Sequence, residues 1–556
     1  MATDPIPTRS TAWASGPIPD LLFGAGGAYL LSALVIAFVA RDAVAADWPL
    51  TVTWCIAILV ASPHYGATLL RIYEHREERR KYALFAVWAT LVIALVLVIA
   101  LYQPYVGAMV VMVFLTWAPW HFAAQNYGIS LMFLRRSGVE ITPWAKRLLY
   151  ASFIFSSALA LLALHIAGSD SIRAPARNEG YADLALVSLG IPGPIATVLM
   201  LVCVGAYVVA LIGSAVLLRR KATLRELLPV ASLVLCQALW FTVPSILDLE
   251  RAWATPTLVF AAIWISGAHS LQYLWITFYY TKRREPGTHL PAYLAKAILA
   301  GNAVFVLPGL FFASRLFGAD VSFEKGLSAL VFSIVNIHHF VLDGAIWKLR
   351  DGRVARVMLR GDTGIAHDSA PTRTRKRRWL HAAVWSVFAL CVVIEVGELA
   401  RQQAERHGAY AVVGTLLDGL DWVGRPHEFS RIRIGRILLQ RGDYARARAH
   451  FERSARDRPS LAAWGGLGRA LEGEGDVSAA AEAYEAGLVL DPSDAALLRS
   501  AGFTRLRIGQ PDRAAEFFER SLEREPGHKR TREGLEEARR GLNGASKTPD
   551  PQPRVR

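Results

Sequence analysis

The chain has 556 residues, 53% of them hydrophobic and only 19% charged, with a mean hydropathy of +0.31, which is too apolar for a soluble protein of this length. The net charge of +15 is carried in short clusters between apolar runs and along the C-terminal third, so it reads as membrane topology and not as a nucleic-acid footprint. The four cysteines, Cys55, Cys203, Cys236 and Cys391, all fall within apolar runs, which excludes a disulfide framework or a CxxC metal site.

Taken in chain order, a cytoplasmic tail (1–19) leads into eleven runs long enough to cross about 30 Å of hydrocarbon. They lie near 20–40, 49–70, 83–102, 106–134, 148–167, 193–218, 227–247, 256–280, 291–314, 326–348 and 379–399. The first lacks a basic flank and a small-residue cleavage site, so it reads as a retained span. Basic residues crowd RIYEHREERRK (71–81), LRRSG (134–138), RRKATLR (219–225), TKRRE (281–285) and the stretch from Lys348 to Arg378, whereas the alternate loops carry about one each. By the positive-inside rule the rich loops are cytoplasmic, and an odd number of spans puts everything after residue 400 in a periplasm-like space of a bacterial inner membrane.

Four of the spans carry a histidine inside the apolar run, with a polar partner one turn away: His64 with Thr68, His121 with Gln125, His269 with Gln272 and Tyr273, and His339 with Asp343. These spacings share a helix face. Asn336 joins the His339 face and Arg71 extends the His64 stripe, while His338 points about 100° away, to serve a neighbouring helix or as a second ligand direction. From each histidine to its basic end is 7, 14, 13 and 9 residues, or roughly 10 to 21 Å at the helical rise, so the four rings can meet in one layer. Two of these helices, WAPWHFAAQNYGISLMFLRR (117–136) and WISGAHSLQYLWITFYYTKRR (264–284), also look like weak copies of each other, which would set His121 and His269 across a cavity.

After a linker or irregular helix (400–427), the chain becomes periodic. GDYARARAHFERSARDRP (442–459), GDVSAAAEAYEAGLVLDP (475–492) and GQPDRAAEFFERSLEREP (509–526) repeat at 33 and 34 residues, with Gly435, Gly468 and Gly502, then Ala447, Ala480 and Ala514, then Phe451, Tyr484 and Phe518, then Pro459, Pro492 and Pro526 in phase. Residues 428–528 resemble three tetratricopeptide repeats, TPRs, with a capping helix over 529–542 and a disordered tail over 543–556. Trp464 stands at that family's tryptophan position, from which the first and third repeats depart. The resemblance implies a concave groove for a protein or peptide partner. The predicted fold class is therefore all-α: a polytopic bundle of about 11 transmembrane helices followed by a soluble TPR α-solenoid.

Three readings of the polar groups stay open: interhelical hydrogen bonds that stabilise the bundle, a metal site, and a proton path. Repetition at one depth on four helices puts the metal first, with His64, His121, His269, His338, His339 and Asp343 as ligands and Thr68, Arg71, Gln125, Gln272, Tyr273 and Asn336 around them. Nitrogen and oxygen donors without thiolate suit iron, zinc or manganese. Such a site suits oxidation of a lipid or isoprenoid chain, by analogy with integral-membrane di-iron desaturases, although their HxxxH and HxxHH boxes are absent. The domain order also resembles polytopic lipid-linked-sugar glycosyltransferases, whose acidic outer loop is reduced here to Asp42 and Asp47. A non-enzymatic membrane-anchored TPR scaffold or assembly factor is the third class.

Overall fold

Apolar runs become helices in the computed structural model, which describes residues 12–38, 48–166, 188–247, 256–313, 327–348, 352–360 and 375–545. The readings of residues 1–11, of the loops holding Asp42 and Asp47, of the outer loop before Pro256, of the basic stretch 361–374 and of the tail beyond 545 lie outside these residues. Among those described, the chain is all-helical, with a single isolated bridge between Ile166 and Ile191. It divides into two units, Met1–Gln403 with Val423–Arg425, and Ala404–Trp422 with Pro426–Arg556.

The first unit opens with α1 (Pro17–Gly24) and α2 (Gly27–Val35), bent by 67° at the break between them. Gly26 makes that bend with φ +77°, and a Cβ there would stand 2.6 Å from Cys236 Sγ, so only glycine suits the turn and its close neighbour. The remaining helices are α3 (Thr51–Tyr73), α4 (Leu84–Tyr102), α5 (Tyr105–Arg136), α6 (Pro143–Leu164), α7 (Gly193–Arg219), α8 (Leu224–Ile246), α9 (Pro256–Arg284), α10 (Leu290–Phe312), α11 (Ser328–Ile346) and α12 (Arg378–Arg406).

Nine helices among the described residues are long and apolar enough to cross a membrane, or ten if the bent α1–α2 pair counts as one span. The eleventh expected span is α9, a 29-residue helix whose side chains before Trp264 lie outside those described. Outward-facing side chains on the spans are large and apolar, as with Leu91, Val92 and Leu95 on α4, the pattern a hydrocarbon solvent favours.

Two local features shape α3. Pro63 cannot donate to the helical ladder, and five residues of π-helix, Ala57–Ala61, precede it, adjusting the backbone just before His64. Further along, α3 crosses α10 at two glycines: a Cβ on Gly66 would lie 2.0 Å from the Ala297 carbonyl oxygen, and one on Gly301 would lie 1.9 Å from that of Ser62. Only two backbones without side chains approach this closely.

In the second unit, α13 (Tyr410–Trp422) precedes three helix pairs: α14 (Glu428–Gln440) with α15 (Tyr444–Asp457), α16 (Leu461–Glu474) with α17 (Val477–Leu488), and α18 (Ala495–Arg507) with α19 (Pro511–Arg524). The last helix, α20 (Lys529–Ala545), covers the end. Each pair turns on a glycine of positive φ, Gly442, Gly475 and Gly509, at the repeat spacing. Phe451 fits against Gly435 and Gly466, Tyr484 against Gly468, and Phe518 against Gly502. Residues 410–422, within the stretch read as linker or irregular helix, form α13, whose Val413 and Leu417 share the core of Ile434 and Phe451.

Candidate metal centre

Four helices of the first unit, α3, α5, α9 and α11, each bring one buried histidine to a common point: His64, His121, His269 and His339. Their rings form a closed circuit. Centroids stand 4.6 Å apart for His64 and His339, 5.4 Å for His339 and His121, 5.1 Å for His121 and His269, and 5.5 Å for His269 and His64. One ring nitrogen from each of His64, His269 and His339 lies within 4.8 Å of the others, and the same is true of His121, His339 and a carboxylate oxygen of Asp343. Bonds of about 2.1 Å to one ion set opposite ligand atoms about 4.2 Å apart, so small side-chain movements close either trio. His339 belongs to both, which makes the five donors one site.

Surrounding groups decide which atoms face inward. His64 Nδ1 is held by the Ala61 carbonyl, an acceptor, and lies 3.0 Å from Ser270 Oγ. That nitrogen therefore carries the proton, leaving Nε2 as the lone-pair donor. Thr68 Oγ1 stands 3.1 Å from His339 Nδ1 and 2.6 Å from Tyr273 OH. Tyr273 donates to Asp343 Oδ1 at 2.6 Å, with Thr68 adding a longer bond of 3.3 Å. Asp343 Oδ2 is thereby turned to His339 Nε2 at 3.2 Å and to His121 Nε2 at 3.9 Å, neither in hydrogen-bond alignment.

His269 differs from the rest because both of its ring nitrogens are buried without a hydrogen-bond partner among the described residues; His121 Nε2 and His339 Nε2 share that condition. Leaving one buried polar group unpaired costs about 1–3 kcal/mol, and here four such nitrogens belong to three neighbouring rings. Stacking fixes two of the rings in place. Phe122 lies against His269 at 4.2 Å and 28°, and Phe340 against His121 at 4.2 Å and 26°.

The look-alike helices α5 and α9 meet at equivalent residues. His121 faces His269, and Gln125 Nε2 donates to Gln272 Oε1 at 3.1 Å and to the His269 carbonyl at 3.2 Å.

Three expected members are not brought to the centre. His338 turns to Thr90 on α4, its Nε2 2.8 Å from Thr90 Oγ1, because its neighbour position on α11 looks to a different helix. Asn336 accepts from Tyr65 OH at 2.5 Å. Arg71 is sandwiched between Tyr280 and Trp347, 4.1 and 3.8 Å from their ring centres, and donates to the Ile346 carbonyl at 2.9 Å. Sequence reasoning missed Ser270, Phe122 and Phe340, each adjacent in sequence to a histidine, and the Ala61 carbonyl, which no sequence pattern marks.

Beside the rings lies a cavity of about 220 Å3 whose lining includes Trp120, His121, Gly128, Tyr273, Phe340 and Asp343. Apart from the site's own polar groups and Gln125, the wall is apolar.

Among known families, a tetratricopeptide repeat model matches residues 432–495. That match and the paired helices make this stretch a TPR segment, a protein-interaction architecture. No curated protein matches the chain.

Proposed function

We propose that the protein is a multi-pass membrane metalloenzyme that acts on a lipid-soluble substrate, a lipid or isoprenoid chain, and engages a protein partner through its TPR segment. The observation that carries this reading is the convergence of unpaired nitrogens, above all the two of His269; a bundle that merely anchors a scaffold has no use for them. Imidazole and carboxylate donors without thiolate suit iron, zinc or manganese. A bound ion would supply Lewis-acid or redox chemistry at the apolar cavity. The chain's own part is to present His64, His121, His269, His339 and Asp343, to fix their tautomers through Ser270, Thr68 and Tyr273, and to keep water away.

The basic loops support an orientation with the N-terminus cytoplasmic and the TPR segment periplasmic. Elemental analysis of the full-length protein in detergent is expected to give stoichiometric metal, reduced at least tenfold in His269→Ala and His339→Ala while both variants still accumulate in the membrane. A wild type without metal would leave the bundle as a structural anchor.

A further inference from the structure

The cavity beside the rings runs from Trp120 in the middle of α5 to Gly344, two residues before the end of α11, and to Trp347 just beyond it. Trp120, Ala124 and Gly128 line it from α5 at successive turns, with Gly344 and Phe340 on α11 opposite. Trp120 stands 15 residues from Tyr105 and 16 from Arg136, roughly 22 to 24 Å from either end of its helix, and its ring is 41% exposed. Gly344 is also exposed. A Cβ on Gly128 or Gly344 would meet nothing within 4 Å, so these glycines are not there for helix packing. They leave a slot between α5 and α11.

Inside the slot the wall continues with Ile129, Met132, Ile276 and Met358 and ends on His121 and Asp343. A cavity of about 150 Å3 is enough to admit benzene, so about 220 Å3 takes a short stretch of hydrocarbon but not a whole lipid. Whatever enters must leave most of its length outside, and the medium beside the exposed Trp120, in the middle of α5, is hydrocarbon.

We propose that the slot between α5 and α11 is a lateral portal through which one hydrocarbon chain of a membrane lipid, acyl or prenyl, threads from the bilayer to the His121–Asp343 edge of the centre. This deepens the metalloenzyme reading and rests on it for the purpose of the portal, though not for its existence. Methionine at the inner wall, Met132 and Met358, adapts to chains of varied shape, and the described lining residues, none of them cationic, favour a hydrocarbon chain over a charged headgroup.

The test uses the full-length protein in native membranes with two photoreactive probes, a phospholipid bearing a diazirine on its acyl chain and a polyprenol bearing one on its isoprenoid chain. Illumination is expected to label the peptides around Trp120–Met132 and Phe340–Trp347 with at least one probe, and the probe that labels identifies the chain type. Gly128→Leu and Gly344→Leu should each cut this labelling tenfold or more, with metal content and the labelling of outward-facing α4 near Val92 unchanged. His269→Ala should lose metal yet keep the labelling. Wild-type protein that labels here but contains no metal overturns the metalloenzyme reading and leaves the portal. Absence of labelling here with both probes, labelling that survives both leucine variants, or crosslinks from this slot to a second copy of the chain overturn the portal.

Discussion

At the scale of single residues, the centre depends on groups that never touch its middle. Tyr273 donates to Asp343 Oδ1 and accepts from Trp347 Nε1 at 3.1 Å, so one hydroxyl sets which carboxylate oxygen faces the rings. Tyr273→Phe keeps the ring and its packing but frees the carboxylate to rotate. We expect metal affinity to fall about 10–100-fold, read by chelator competition, with the variant accumulating normally. An unchanged affinity would take Asp343 out of the ligand set.

A second residue-scale effect lies in the TPR unit. His450 is buried beside Gly414, and desolvation first, then the Arg431 charge, push its pKa down to about 4 from 6.5, with Asp418 opposing. A histidine whose folded pKa is depressed supports the fold above its unfolded value and withdraws that support as pH falls. The stability of a 404–545 fragment should therefore drop between pH 6.5 and 4. Asp421 is raised, chiefly by burial, and so acts in the opposite sense, but it does so in parent and variant alike. His450→Gln should flatten the difference, measured by urea denaturation at pH 7 and 4.5; parallel pH profiles for the two would remove His450 as the cause.

Between helices, the critical contact is the crossing of α3 and α10 at Gly66 and Gly301. A methyl group at Gly301 meets the Ser62 carbonyl oxygen, two residues before His64, so the helices must separate and the first ligand moves with them. Gly301→Ala should lower both thermal stability and metal content, whereas alanine at Gly205, where a Cβ meets nothing within 4 Å, should leave both unchanged.

The sequence spoke well about helix faces and poorly about partners. The spacing of His64 to Thr68 and of His121 to Gln125 marks residues that share a face, and they do face the same interior. Yet Thr68 serves His339 and Asp343, and Gln125 serves α9. A shared face says which way a side chain looks; its partner belongs to tertiary packing. His338 illustrates the same limit, since adjacency to His339 gave no sign that Thr90 awaited it. The TPR periodicity was readable in full detail because each repeat carries its own turn glycine, aromatic and small-residue sockets within about 34 residues. In α13 no such repeat exists, and only its packing against Phe451 and Ile434 reveals it as part of that core.

For the molecule as a whole, sidedness decides where the TPR partner is met. The basic connectors predict that residues after 400 face the periplasm, so a reporter that functions only outside the cytoplasm, fused after residue 545, should be active. A second fusion after Arg220, in a basic connector, should be silent. The opposite pair of results would invert the orientation and assign the TPR partner to the cytoplasm. The metal centre itself would be untouched by that outcome, because its geometry lies within the first unit alone.

The four rings that meet within a few ångströms are also far apart in time. His64 and His339 are 275 residues apart in the chain, and at about 5–20 residues per second a ribosome takes roughly 14 to 55 seconds to pass from one to the other. During that interval the early helices sit in the bilayer with an incomplete set of donors, so no ion can be held as the finished site would hold it. On the metalloenzyme reading, loading is therefore a late event in the life of each molecule. It would fall after the synthesis of α11, and a cell short of metal would accumulate complete but empty chains.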